Sequence, residues 1–398
     1  MQTESGNNHF DVIVIGVGSM GSSACYHLAR RGYKVLGLEK FRIGHENGAH
    51  TGQSRIIRKA YFEAPEYVPL LESAYKNWKD FENETGEKIY FQTGLLYMGQ
   101  PGHALMKGMK QSAGLYHVPV ESLSAKDVKK KFPAFHVPPG FEVVLEPGAG
   151  FIPPEKTIRL FAEHAQKAGA EIHTKENVMR WEVKGNHCIV TSGKREYTCD
   201  RLIITAGPWT GKMIPALQNK LSVTRQFIAW VKMKNERSFE WGKFPCWMIA
   251  DDEKPGAYYG FPSLPTDQFG EPAGMKIAHH FPGQQTDPDQ VNRQAVPEDE
   301  KNIEYALQKY FPGSFDSIIS SKTCLYANSP DEHFMIDFLP GYDEKVVIAC
   351  GFSGHGFKFV SLIGPVLADL AMTGKTIPGI NFLKLERFAN KPAYNGKE

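Results

Sequence analysis

Gly16-Val17-Gly18-Ser19-Met20-Gly21 follows the apolar, β-branched run Asp11–Ile15 without a break. A helix-forming stretch, Ser22–Arg31, comes next and stops at Gly32. A second apolar run, Lys34–Leu38, then ends on an acid, Glu39. Strand, glycine turn, helix, strand and acid in this order is a layout that holds a dinucleotide. Gly16 permits the tight turn, Gly18 lets a pyrophosphate reach the backbone, and Gly21 lets helix and strand pack closely. The helix N-terminus offers free N–H groups and a positive dipole end to the phosphates. Glu39 suits the ribose hydroxyls and repels a 2′-phosphate, which favours FAD or NAD over NADP. These residues do not say which of the two is bound.

Cationic residues stand in places that call for a partner. Arg55 and Arg58 belong to Ser54-Arg55-Ile56-Ile57-Arg58, where their spacing need not put them on one face. An arginine fork matches a carboxylate with two parallel hydrogen bonds; a pair of solvated arginines is the bland alternative. Lys276 lies in the apolar run Met275-Lys276-Ile277, an expensive place for an ammonium without a partner. The bland alternative is a strand lysine pointing to solvent. Lys358 closes Gly354-His355-Gly356-Phe357-Lys358, whose small residues let backbone approach a flat ring. Cys324 in Thr323-Cys324-Leu325-Tyr326 could equally be an inert buried thiol.

Other segments must position these groups. Lys88–Met98 alternates like a strand, and Pro153–Ala168 reads as a helix with Ile158, Leu160, Phe161, His164 and Ala165 to one side. Ala170–His173, Cys188–Thr191 and Arg201–Thr205 read as strands, the last closed by Ala206-Gly207-Pro208-Trp209. Leu221–His280 is mostly β and rich in aromatics. Val346–Cys350 is a last apolar strand, followed by a helix from about Val360 to Met372. Nucleotide-domain elements therefore occur at the start, around residues 150–210 and at the end, so the chain weaves between two domains.

Composition narrows the function classes. Lys+Arg is 46 against Asp+Glu 44, a net charge of +2, which argues against a nucleic-acid or polybasic membrane partner. No apolar run approaches the ~20 residues that span a bilayer. The opening MQTESGNNHF lacks a signal-peptide layout, the closing Asn-Gly-Lys-Glu is no peroxisomal address, and the six cysteines include no Cys-x-x-Cys pair. The expectation is a reduced, cytoplasmic protein without a bound metal.

FDVIVIGVGSMG, NGAHTGQSRIIRKAY, TGLLYMG, ITAGPWT, YYGFPS, TCLYANSPDEHFMID and GFSGHGFKF together resemble the monomeric sarcosine oxidase family of flavoprotein amine oxidases, from Phe10 to about Phe388. That family includes N-methyltryptophan and L-pipecolate oxidases. The resemblance implies an α/β plus mixed-β fold. A Rossmann-like FAD-binding domain of the glutathione-reductase type (8–86, 150–214 and 324–390) would be interleaved with a substrate domain on a mixed β-sheet (87–149 and 215–323). It implies oxidation of a secondary amine of an amino acid such as sarcosine to the imine, with electrons passing through flavin to O2 and yielding hydrogen peroxide, in a monomer.

Carried over residue by residue, the resemblance makes Cys324 the covalent attachment point of FAD. Arg58 and Lys358 become the carboxylate partners, and Lys276 the cation that activates O2. Arg55 would lie near the flavin, and Tyr259, His280 and Tyr326 would complete the catalytic set; His279, an adjacent strand residue, points oppositely. Gly16, Gly18, Ser19, Met20, Gly21, Glu39, Lys40, Ser54, Val178, Gly207, Gly354, Gly356 and Lys358 would contact the cofactor. One position departs: where the family often has His before the Gly-x-Ser/Thr-Arg stretch, this chain has Thr51, with His50 before it. Thr carries no charge near neutral pH, which points to a substrate other than sarcosine. L-pipecolate or glycated amino acids are alternative substrates. A flavin dehydrogenase passing electrons to a partner is an alternative reaction, and a non-catalytic flavin scaffold an alternative class.

Overall fold

The computed structural model describes residues 8–280 and 283–388. The opening and closing residues that carry the leader and address readings, and the expected domain end at 390, lie outside the described residues. The chain divides into two compact units: one takes the chain up to His50, Pro154–Val223 and the chain from Leu325 on, the other Thr51–Pro153 and Thr224–Cys324. Residues 51–86, expected with the nucleotide domain, stand in the second unit.

The first unit is built on an eight-stranded sheet. Its centre is His9–Ile15, flanked in parallel by Val35–Leu38 and Glu196–Ile204. Glu171–His173 and Val346–Cys350 extend the parallel part, while Val178–Lys184, His187–Ser192 and Met335–Phe338 pair antiparallel. Val12, Ile13, Val14, Leu36, Leu202, Ile203 and Ile348 are all buried, because helices cover a parallel sheet and its strands lose their alternation. The helices Ser19–Arg30, Pro154–Lys167 and Val360–Thr373 supply that cover. The middle helix buries Thr157, Ile158, Phe161, Ala162 and Ala165, whereas Leu160 and His164, expected on the same side, are half-exposed.

The second unit carries a nine-stranded mixed sheet. Leu95–Gly99 runs parallel to Cys246–Ala250; the neighbours Ala257–Phe261, Met275–His280 and Ser222–Met233 are antiparallel. Lys88–Met98 is not one alternating strand. Gly94 takes φ +73° and breaks it into Phe91–Gln92 and Leu95–Gly99, and the second piece is buried throughout because neighbours pair on both edges and both faces are covered. One face of the sheet packs Phe227, Ala229, Val231, Trp247, Tyr258, Met275 and Ile277 against the helix Pro297–Tyr310. Alternation therefore turns Ile228, Trp230, Tyr259, Phe261, Lys276, Ala278 and His280 to the other face. The helices Tyr67–Thr85 and Pro297–Tyr310 and the strand Phe315–Asn328 have no counterpart in the sequence reading. No helix among the described residues is long and apolar enough to cross a membrane.

The glycine turn leaves no slack. A Cβ on Gly21 would lie 1.9 Å from the Gly16 carbonyl oxygen, and one on Gly16 would lie 2.6 Å from that of Thr205. Gly21→Ala should cost roughly 2–3 kcal/mol by overpacking. Thermal unfolding checks this, and an unchanged melting temperature would show that the turn can open.

Candidate active site

In the first unit the turn leads straight into the helix, with Ser19, Met20 and Gly21 in its first turn. The opening N–H groups of a helix have no intrahelical acceptor. At Gly18 an added Cβ would meet nothing nearer than His50 Nδ1 at 4.0 Å, so the backbone is bare on that side. Thr205 Oγ1 donates to the Gly16 carbonyl at 2.7 Å and fixes the turn from the next strand. Glu39 is buried and accepts from the N–H groups of Val17 and Phe41, one per carboxylate oxygen, each at 2.9 Å. His45 Nε2 lies 3.5 Å from Oε1, and a carboxylate with about four lone-pair sites keeps capacity for a ribose hydroxyl beside these contacts. Burial raises its pKa, and the backbone N–H groups oppose the rise. Lys40 lies 5.0 Å from the Trp209 ring centroid. Gly207 takes φ +53° directly after the strand. Val178 packs into this unit's core and can offer a ligand only its backbone. Bare glycine backbone, helix start and buried acid suit a dinucleotide.

The second unit gathers Thr51, Ser54, Arg55, Lys276 and Cys324. Lys276 is buried rather than solvent-facing, and its Nζ donates to the carbonyls of Gly52 and Ser54, the latter at 2.6 Å, and to Ser54 Oγ at 3.3 Å. The ammonium sits 4.4 Å from the Phe261 ring centroid. Arg55 donates from Nη2 to the Thr51 carbonyl and to Cys324 Sγ, the latter at 3.3 Å. The loop holding these carbonyls is left-handed at Gly52 (φ +123°) and Gln53 (φ +64°). Gln53 is locked there: Trp230 Nε1 donates to its Oε1 at 2.8 Å, and its Nε2 donates to the carbonyls of Gly270 at 2.7 Å and Pro272 at 3.1 Å. Thr51 Oγ1 is buried and has no partner among the described residues, which suits a site completed by a group outside the polypeptide.

Arg58, on the far side of Arg55–Ile57, faces a different set of groups. Its Nη2 donates to both carboxylate oxygens of Glu63 at 2.6 Å and its Nη1 to the Ala60 carbonyl at 3.2 Å. The rings of Tyr61 and Phe62 lie 4.3 and 4.5 Å from the guanidinium carbon. Burial opposes the charge, but Glu63 outweighs it and holds Arg58 protonated. Phe62 meets the His280 ring edge-on at 6.5 Å, and His280 meets Tyr259 at 6.3 Å. His279 is on the other face, stacked on Tyr258 at 4.4 Å, and burial lowers its pKa.

The remaining expected residues lie in the first unit. Tyr326 packs flat on Gly354, where an added Cβ would strike its ring at 2.4 Å; at Gly356 it would strike Phe352 at 2.5 Å. Lys358 is buried, and its Nζ donates to the His355 carbonyl at 2.7 Å. Glu63 and Gln53 were missed by sequence reasoning. An acid five residues after Arg58 within an aromatic stretch was the available signal for Glu63; nothing local marked Gln53.

Glu63 takes both of its contacts with Arg58 from Nη2. Glu63→Gln should tighten carboxylate inhibitors roughly tenfold, about 1.4 kcal/mol, while lowering the melting temperature because Arg58 loses its counter-ion. Inhibitor titration checks this; weaker binding would make Glu63 an orienting group instead.

The FAD dependent oxidoreductase (DAO) profile matches residues 11–370. The monomeric sarcosine oxidase of Bacillus sp. (strain NS-129) is 38% identical over 390 residues, 97% of this chain and 98% of that protein. The N-methyl-L-tryptophan oxidase of Yersinia pestis (strain Pestoides F) is 31% identical over 383 residues, 95% and 99% of the two chains. The fold is shared with NikD, an unusual amino acid oxidase essential for nikkomycin biosynthesis, at a TM-score of 0.83 and 24% identity over 94% of this chain and 97% of that one. With the glycine turn, the buried acid and this full-length likeness in place, the chain belongs to the FAD-dependent oxidoreductase family, among the sarcosine oxidase-like flavin amine oxidases.

Proposed function

We propose that this protein is a monomeric, cytoplasmic oxidase of a secondary or N-methyl amino acid such as sarcosine, with FAD bound covalently through Cys324 and O2 as the electron acceptor. The observation that carries this reading is the buried cluster in which Lys276 lies on the Gly52 and Ser54 carbonyls and Arg55 reaches Cys324 Sγ. Bound FAD would accept a hydride equivalent, two electrons with one proton, from the substrate carbon.

The chain's own residues do the rest. The substrate carboxylate displaces Glu63 from Arg58 Nη2, exchanging one carboxylate for another on the same guanidinium. Lys358 is the second carboxylate partner. Tyr259 and His280 line the amine end from the same sheet face as Lys276. The amine reacts with its lone pair free, and a substrate nitrogen that has left water for this aromatic wall loses its proton more readily. Lys276 places a fixed positive charge where O2 takes up electrons, which lowers the barrier to forming an anion. Two electrons and two protons leave the C–N unit and reappear as hydrogen peroxide; the imine then hydrolyses in water. Thr51, neutral at the position where a histidine is common, widens the candidate substrates to L-pipecolate and glycated amino acids.

Anaerobic titration against sarcosine, L-pipecolate, L-proline, N-methyltryptophan and a fructosyl amino acid tests the proposal. One of them should bleach the flavin spectrum, and air should restore it with one peroxide per turnover. A flavin that none of them bleaches would overturn the substrate class, and recovery only with an artificial acceptor would favour the dehydrogenase. Lys276→Met should slow reoxidation by O2 at least tenfold, about 1.4 kcal/mol of transition-state stabilisation, more than it slows anaerobic reduction; equal slowing would remove the oxygen role. In Cys324→Ser the flavin should be released on acid denaturation, and a flavin still attached would move the covalent link elsewhere.

A further inference from the structure

His9, His187 and Asp200 take no part in the chemistry above, yet the register of the first unit's sheet draws them together. His9 pairs with Thr198 across one edge of Glu196–Ile204. On the opposite edge Cys188 pairs with Cys199, and one step further along brings His187 opposite Asp200. Residues 198 and 200 of one strand share a face. Phe10, Cys188 and Cys199, each one residue away, point into the core, so the two histidines and the acid all project from the other face. Three adjacent strands thus supply one side chain each.

We propose that His9, His187 and Asp200 bind one divalent transition-metal ion, for which Zn2+ is the probe. Asp200 Oδ1 lies 3.4 Å from His9 Nε2 and 3.1 Å from His187 Nδ1. Ligands about 2.0–2.1 Å from a tetrahedral zinc stand roughly 3.3 Å apart, so both separations already match. All three ligand atoms lie within 4.8 Å of one another. His187 is the most exposed of the three, its side chain 54% accessible, and it has room to close the remaining distance. The other ring nitrogen of His9, Nδ1, is 3.0 Å from Thr198 Oγ1. With Nδ1–H donating to that hydroxyl, Nε2 is the metal-binding nitrogen, and the contact orients the ring. Two imidazoles and one carboxylate select zinc, nickel or copper over magnesium or calcium, which want oxygen alone. Solvent fills the fourth position. The bound ion ties Glu196–Ile204 to the strands on both sides of it, His9–Ile15 and His187–Ser192, which makes it a structural staple on the nucleotide-binding unit, apart from the flavin chemistry.

Calorimetric titration of the flavin-loaded enzyme with zinc chloride in a non-coordinating buffer tests this. One equivalent should bind saturably and raise the melting temperature. His187→Ala and Asp200→Asn, both on accessible side chains, should each abolish the saturable phase. Thr198→Val should weaken it about tenfold through loss of the outer contact. Absence of saturable binding, or the same binding in both ligand variants, would overturn the site and leave only an aspartate beside two imidazoles, one of them hydrogen-bonded to it.

Discussion

A buried ammonium must find acceptors or it will not stay buried, and the second unit is arranged around that demand at Lys276. Leaving water costs such a group several kcal/mol. The cost is offset by the Gly52 and Ser54 carbonyls and the Ser54 hydroxyl. Those carbonyls face Lys276 because the loop turns left-handed at Gly52 and Gln53, a conformation that costs a non-glycine residue about 1 kcal/mol or more. The Gln53 side chain holds the loop there through Trp230, Gly270 and Pro272. The same loop aims Arg55 at Cys324. Charge, loop conformation and thiol are one coupled arrangement.

Two buried cations of this unit, Lys276 and Arg58, are held in different ways. Lys276 donates to the neutral carbonyls of Gly52 and Ser54. Arg58 is matched instead by a charged partner, the Glu63 carboxylate. Sheet alternation keeps these functions off the packing face. The Met275, Ile277 and Tyr258 side seals against a helix, while Lys276, His280 and Tyr259 stand on the reverse.

Local residue order was sufficient for the nucleotide-binding turn. Every requirement there is met within about thirty residues: β-branched run, glycines, helix and acid. The close approaches at Gly16 and Gly21 and the burial of Glu39 follow from that order. The apolar strands Arg201–Thr205 and Val346–Cys350 were legible for the same reason, since a strand covered on both faces reads as a continuous run. Lys88–Met98 was misread because a left-handed glycine inside an alternating pattern looks like an ordinary strand residue. The long helices Tyr67–Thr85 and Pro297–Tyr310 are polar on one side and interrupted by aromatics, which weakened their period.

By itself, then, the sequence determined a dinucleotide-binding turn, a chain whose α/β parts are interrupted twice by β-rich parts, and the motifs that carry the family likeness. These depend on neighbours along the chain or on residue type alone. Tertiary structure decided that Lys276 is buried and held by a loop more than two hundred residues away, that Arg55 meets Cys324, and that Arg58 already holds a carboxylate. It also placed His9, His187 and Asp200 on one face of three strands. Such contacts are set by strand register and loop dihedrals, which no local pattern encodes, because partners so far apart in the chain are brought together only when the sheet has formed.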